Sequence, residues 1–499
     1  MPAKVIMLQG SMSSSGKSLL VTGLCRLYAR MGYRVAPFKA QNMSNNAAVC
    51  KDSSEIGRSQ YTQALACGVE PQAVMNPVLL KPEADARSQV IVLGKPYASL
   101  PAKDYYQKKK DLWQVITHAL DSLIESYELI IIEGAGSPVE LNLKYGDLVN
   151  MAVARYAKAP VLLAGDIDRG GIFAQLLGTL DLFDPQERAL VKGLLVNKFR
   201  GDPDLFTSGI QILQDRSGVP VLGVIPYINH HIPEEDGVAV EAQNIGAQTR
   251  DAIDIAVIRL PRIANFDDFD PIAREPGVSV RYIDSPQEIK NANAIIIPGT
   301  KSTTADLIWL QAQGLASAIR EFAEQGGTVI GICGGYQMLG KWIKDPCGIE
   351  SETAEAEGLS LLSIGTTFID QKSTHQVSAV INNKTGWSAS INGEMIQGYE
   401  IHMGKTQYLD GKGWLSIKRQ GGSHVDEPDG AMNENGQIWG CYVHGLFENN
   451  DLRHAWLRSL GWDSGKASPE FSLDQSFDQL ADVLEKSLNM DKLNKIIGL

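Results

Sequence analysis

Short apolar runs recur along the whole chain, separated by stretches with helical spacing, and most of the runs end in glycine or in a polar side chain. In the first half these runs are Lys4–Leu8, Val35–Phe38, Leu129–Ile132, Val161–Ala164, Val191–Val196 and Val219–Pro226. They are apolar nearly throughout, not alternating, so each reads as a strand buried on both faces. With helices between them they predict a mostly parallel sheet covered on two sides. A polar interval from Ile232 to Asp251 reads as a domain boundary. A second alternation then begins at Ile253 and includes Ala294–Ile297, Thr328–Ile332 and Gly440–Val443. From Asp451 on, the pattern is helical and peripheral, with a polar interval near 463–470. The fold class is therefore α/β with two domains, at 1–232 and 251–452, a linker at 233–250 and a helical segment at 453–499.

A chain of 499 residues has room for two such cores. The formal net charge of −12 argues against a nucleic-acid partner. The six cysteines (Cys25, Cys50, Cys67, Cys333, Cys347 and Cys441) are scattered without a CxxC pair, which suits a reducing cytoplasm. No signal-peptide pattern precedes the first strand, and no apolar stretch approaches membrane-spanning length, so no membrane partner is expected.

The chemistry concentrates in two turns. In Thr328-Val329-Ile330-Gly331-Ile332-Cys333-Gly334-Gly335-Tyr336-Gln337, a strand delivers a cysteine to a glycine turn that opens a helix. This is the logic of a nucleophile elbow with sulfur in place of oxygen. The helix N-terminus favours thiolate, and glycines let backbone N–H groups approach an oxyanion. The N–H after Cys333, at Gly334, and the turn Pro298-Gly299-Thr300 are the expected oxyanion donors. The general base is expected at His444, the end of the strand Gly440–Val443, with His402 as the weaker competitor.

The second turn follows the first strand: Gly10-Ser11-Met12-Ser13-Ser14-Ser15-Gly16-Lys17-Ser18, then a helical pattern. Strand, Gly/Ser loop, Gly-Lys-Ser and helix form a phosphate-binding loop. Gly10, Ser15, Gly16, Lys17 and Ser18 are its candidate nucleotide ligands. Lys39, at the end of the strand Val35–Phe38, and Asn197, after Val191–Val196, join them. Ser18 is the expected Mg²⁺ ligand, with Glu133 at a strand C-terminus and, more weakly, Glu55. Asp166 and Asp168 remain open as further ligands. His230 and His231 have no third ligand nearby and read as loop residues.

The phosphate loop resembles that of dethiobiotin-synthetase-like ATPases, which activate carboxylates as acyl phosphates. Cys333, the turn at 298–300 and His444 resemble a class I glutamine amidotransferase domain, with one departure. The usual acid two residues after the histidine is replaced by Leu446, and neither Cys441 nor Glu448 obviously substitutes. Over residues 4–460 the chain resembles the cobyric acid synthase family. Ala36–Ser44, Glu55–Arg58, Met75–Pro82, Gly165–Gly171, Asn197–Asp202 and Pro298–Thr303 carry that likeness. It implies ATP and Mg²⁺ as cofactors, glutamine and an adenosylated corrinoid as substrates, and Gln337 as a contact to glutamine. The implied reaction amidates the b, d, e and g carboxylates of adenosylcobyrinic acid a,c-diamide, through acyl phosphates and ammonia that travels shielded between domains. Self-association is left open. The rivals are an a,c-diamide synthase, a P-loop switch ATPase with a non-catalytic C-terminal module, and a ligase of lipid-linked cell-wall precursors.

Overall fold

The computed structural model describes residues 2–84, 86–233, 244–245, 252–463, 465 and 472–499. The N-terminal half is built on a six-stranded, all-parallel sheet. From edge to edge its strands are Val221–Pro226, Val191–Phe199, Val161–Asp166, Lys4–Gly10, Leu129–Glu133 and Val35–Phe38. Alternate residues of one strand enter different cores. Met7, Ile130 and Leu163 belong to one apolar cluster, while Ile6, Ile131 and Leu162 belong to the other. That is why the runs carry no polar alternation. The phosphate loop leaves the C-terminal end of the central strand Lys4–Gly10, flanked by the ends of Leu129–Glu133 and Val161–Asp166.

The C-terminal half has its own parallel strands in the order Val278–Ile283, Ile253–Ile258, Ala294–Ile297, Thr328–Ile332 and Ile438–Cys441. Each domain also carries a sheet that the run pattern does not separate out. In the N-terminal domain, Val78–Ala84, Arg87–Val92 and Lys95–Pro101 form an antiparallel meander. In the C-terminal domain, the long strands Ile364–Ile381 and Met395–Tyr408 pair antiparallel. These two sheets meet. Ala47, Val49, Leu79 and Ile91 pack with Tyr399 and Ile401 in one small apolar cluster across the domain boundary. The Gln376 amide donates to the Val49 carbonyl at 2.9 Å.

The linker expected at 233–250 and the polar interval near 463–470 lie, apart from short pieces, outside the described residues. The C-terminal segment is not a peripheral appendage of the second domain. The helix Asn450–Ser459 packs there, but Leu473–Ser487 and Met490–Ile497 return to the first domain. Arg26 of the helix Lys17–Arg30 pairs with Asp478 at 2.8 Å, and Leu484 lies against Gly23 on the same helix. A glycine there lets the two helices approach closely; a Cβ would come within 2.5 Å of Leu484 Cδ1. Sequence spacing reveals the amphipathic face of this helix but not the core it covers. Leu484 is fully buried, so Leu484→Ala should cost about 2–5 kcal/mol. The check is the shift in urea midpoint of the transition that reports on the N-terminal domain.

Candidate active sites

The loop at 10–18 wraps the N-terminus of the helix Lys17–Arg30. Gly16 takes the left-handed conformation (φ 87°) and no side chain caps the helix, which leaves its first turn to an anion. Lys17 Nζ donates to the carbonyls of Met12 and Gly136, both at 3.1 Å, and so spans the mouth of the loop. Ser15 Oγ is buried with no hydrogen-bond partner among the described residues. Asn197 lies beneath the loop. Its amide donates to the Ser15 carbonyl at 2.9 Å, and a Cβ on Gly16 would strike it at 2.3 Å. Asn197 thus braces the loop from below.

Ser18 Oγ donates to Glu133 Oε1 at 2.8 Å, and Lys39 Nζ reaches the same oxygen at 2.9 Å. Gln63 holds Oε2 at 2.6 Å. A hydroxyl beside a fully buried carboxylate is a hard oxygen donor set of the kind that would suit Mg²⁺. Among the described residues no cluster of three or more His, Cys, Asp or Glu forms a self-contained metal cage.

Glu55 does not belong to this group. One oxygen accepts from Lys81 at 2.6 Å and the other from Lys372 of the C-terminal domain. Burial raises the pKa of this carboxyl, but the two ammonium groups outweigh it and hold it at about 2. A carboxylate already neutralised by two lysines is a domain clasp, so Glu55 is corrected as a metal ligand. Asp166 pairs with Lys198 at 3.0 Å and Asp168 with Arg200 at 2.6 Å. His230 lies in a loop, its Nδ1 3.2 Å from the Ile232 carbonyl.

Beside the loop opens a cavity of about 480 Å³. Ser13 and Gly136 line it on the phosphate side, Met43, Leu80 and Val90 give apolar wall, and Lys109 adds a cation.

In the second domain, the elbow forms because the chain is small where it must be. A Cβ on Gly335 would lie 1.9 Å from the Ile297 carbonyl oxygen, and one on Gly331 2.6 Å from Gly335. Cys333 sits between them at φ 51°, a left-handed strain that non-glycine residues adopt mainly at functional turns. The helix Gly334–Leu339 follows at once. Gly299 faces the same point. A Cβ there would come 2.9 Å from His444 Cε1 and 3.7 Å from Cys333 Cβ. Gly334 lies against Thr300, so the two glycine turns adjoin as an oxyanion pair requires.

His444 is 2 % exposed. Its Nδ1 donates to Asp268 Oδ2 at 2.6 Å, and the Gly445 N–H donates to Oδ1 at 2.8 Å. Burial alone would lower the imidazole pKa, but the Asp268 carboxylate and the Cys333 sulfur outweigh it and push it up to about 10. An imidazolium beside the sulfur suits a thiolate nucleophile.

Asp268 is the residue on His444 that the sequence reading missed. The acidic loop Asn265–Asp270 stands out in the sequence, and Leu446 leaves the histidine without its usual acid. Only the fold brings the two together across 176 positions. Glu448 pairs with Arg274 instead, and Cys441 is buried in the sheet. His402 lines the cavity into which Cys333 and His444 open, but burial lowers its pKa to about 4 and its Nδ1 faces the Gly404 carbonyl at 3.0 Å.

Gln337 is buried, and its amide donates to the Tyr442 hydroxyl at 3.1 Å. Cys333, His444 and Gln337 open into a cavity of about 550 Å³ whose other wall includes Lys81, Glu83 and Ser99 of the N-terminal domain. Lys301 Nζ bonds Glu83 at 2.9 Å and ties that wall down. No helix among the described residues is long and apolar enough to cross a membrane.

Comparison with known proteins follows the same division. The family described as CobQ/CobB/MinD/ParA nucleotide binding domain matches residues 6–236, and the CobB/CobQ-like glutamine amidotransferase domain matches 254–452. The chain is 52% identical over 505 residues to a cobyric acid synthase of Chloroflexus aggregans, covering 100% of both chains. It is 53% identical over 500 residues to that of Chloroflexus aurantiacus, again 100% of both. Against that of Herpetosiphon aurantiacus it is 51% identical, with 100% of this chain and 99% of the relative covered. Half of all positions shared over the full length, with both domains in the same order, is decisive: the chain belongs to the cobyric acid synthase family of glutamine amidotransferase ligases.

Proposed function

We propose that the chain amidates the b, d, e and g carboxylates of adenosylcobyrinic acid a,c-diamide to give adenosylcobyric acid, with one glutamine and one ATP for each amide. The observation that carries this reading is the Cys333–His444–Asp268 line opening into a cavity whose far wall belongs to the phosphate-binding domain.

A carboxylate does not accept ammonia, because oxide is too poor a leaving group. Transfer of the γ-phosphoryl of ATP to a carboxylate oxygen gives an acyl phosphate and ADP. Ammonia then attacks the carbonyl carbon and phosphate leaves. Lys17 and the backbone N–H groups of the loop stabilise the charge on the transferring group. Ser18 and Glu133 would hold Mg²⁺, which when bound would supply further neutralisation of the phosphates. The cavity beside Ser13 and Gly136 seats the reacting edge of the corrinoid, with apolar wall for the macrocycle and Lys109 for its carboxylates.

At the second site Cys333 Sγ attacks the amide carbon of glutamine. The Gly299 and Gly334 N–H groups stabilise the oxyanion, and Gln337 helps hold the substrate. His444 gives a proton to the departing ammonia, leaving a glutamyl thioester. It then takes a proton from water as the oxygen attacks the thioester, and returns it to the sulfur as glutamate forms. Asp268 keeps the ring oriented and stabilises its protonated form. Because Lys81 and Glu83 wall the cavity, ammonia is released against the N-terminal domain, which supports direct transfer.

Mass spectrometry after incubation with adenosylcobyrinic acid a,c-diamide, glutamine and ATP–Mg²⁺ tests the reading. Four successive carboxyl-to-amide mass changes are expected. Glutamine hydrolysis with no change in the corrinoid would keep the glutaminase and discard the substrate.

A further inference from the structure

The two sites lie in different domains, yet one nine-residue helix, Arg58–Ala66, reaches the residues that shape both. Its body faces the phosphate site. Gln63 donates to Glu133 Oε2 at 2.6 Å and Gln60 to the same oxygen at 3.4 Å, while Oε1 carries Ser18. Its first residue faces the other domain. Arg58 Nε donates to Asp267 Oδ2 at 2.6 Å, Nη2 donates to the same oxygen, and the guanidinium lies 5.6 Å from the centre of the Tyr399 ring. The other oxygen of Asp267 has no hydrogen-bond partner among the described residues.

Those two contacts flank the general base. Asp267 precedes Asp268, which holds His444 Nδ1. Tyr399 exchanges backbone hydrogen bonds with His444 in both directions, at 3.1 and 2.8 Å, and its ring stacks on the imidazole at 5.3 Å. Arg58 therefore grips the neighbour of the residue that orients His444 and the residue stacked on it. It is the guanidinium of one domain buried against the carboxylate of the other, with 15% and 3% of the side chains exposed.

We propose that the helix Arg58–Ala66 couples the two sites, with Arg58 as the positioning residue that sets His444 when nucleotide occupies the phosphate loop. The proposal rests on the roles assigned to the two sites above. Nucleotide with its cation draws on Ser18 and Glu133, and it is Glu133 to which Gln60 and Gln63 are tied. A helix shifts as a unit, so a change at Gln63 arrives about 7.5 Å away at Arg58, five residues of helical rise. Coupling of this kind needs two arrangements of the shared element that both ligands bias.

The test uses the full chain with a non-hydrolysable ATP analogue and Mg²⁺. Two quantities are read with and without the analogue: kcat and KM for glutamine hydrolysis, and the rate of Cys333 alkylation by iodoacetamide, located by peptide mapping. In the natural protein the analogue should raise kcat by at least about fivefold, the lower end of ordinary coupling, with little change in KM, and alter the alkylation rate. In Arg58→Met both responses should vanish while affinity for the analogue stays within about twofold; Arg58→Lys should restore part of them. Arg58→Met leaves Asp267 buried and unpaired. The double variant Arg58→Met/Asp267→Asn removes that charge and should also lose both responses. An unresponsive natural protein, or a responsive double variant, overturns the proposal. If four amides still form from the corrinoid, the functional reading survives that failure; if the analogue does not bind, the phosphate-loop assignment falls with it.

Discussion

Cys333→Ala is expected to lose glutamine-dependent amidation by at least about 10⁴-fold while still making the same amides from high concentrations of free ammonium. The first half follows from the elbow. Alanine leaves the turn, its glycines and the Asp268–His444 pair in place, but no atom remains to form the thioester; removal of a covalent nucleophile costs losses of this order. The second half follows from the separation of chemistries in the proposed mechanism. The acyl phosphate forms beside Lys17 and Ser18, in the other domain, and needs only un-ionised ammonia to react. Lys17→Ala is the reverse case: glutamine hydrolysis persists, and amidation fails with either nitrogen source. Corrinoid product measured by mass spectrometry, with glutamate release measured in parallel, distinguishes these patterns. A Cys333→Ala protein inactive with ammonium would show that the two chemistries cannot be separated.

Both turns were legible in the sequence because each is a continuous segment with a stereochemical signature. Gly16-Lys17-Ser18 after an apolar strand and Gly331-Ile332-Cys333-Gly334-Gly335 before a helix constrain their own geometry. What spans the chain was not legible. Asp268 is an acid in an acidic loop until the fold puts it on His444. Glu55 fitted a metal ligand as an acid at the opening of a helical pattern, because nothing in its neighbourhood announces that Lys372, 317 positions away, will neutralise it. The helix Leu473–Ser487 has a clear apolar face, but amphipathicity states that a face is covered, not which domain covers it. Its partner is Gly23 and the first helix of the chain, so the C-terminus closes the domain that the N-terminus begins.

Asp268→Asn should lower kcat for glutamine hydrolysis by about 10³–10⁴-fold, leaving ammonium-dependent amidation intact. The substitution is nearly isosteric, so the loop and the Gly445 N–H contact to Oδ1 are retained. The imidazole changes in two ways. An amide nitrogen facing Nδ1 would donate where the carboxylate accepts, moving the ring proton to Nε2 and removing the lone pair that must take a proton. The stabilisation of the imidazolium also disappears. In the natural protein burial lowers the His444 pKa, and the Asp268 carboxylate is foremost among the groups that raise it to about 10. His444 is therefore protonated across neutral pH and loses its proton only as pH rises through about 10. Without the carboxylate, burial pulls the value back down and the general acid is lost at lower pH. The alkaline limb of the kcat profile should accordingly move to lower pH in Asp268→Asn. A residue that merely supported the loop would reduce activity at every pH alike, without moving that limb. Leu446→Glu, which restores an acid at the position usual in class I amidotransferases, should not rescue the variant, because Leu446 is buried and a carboxylate there would lose its hydration. If Asp268→Asn keeps both its rate and its alkaline limb, another group orients His444 and the three-residue assignment is wrong.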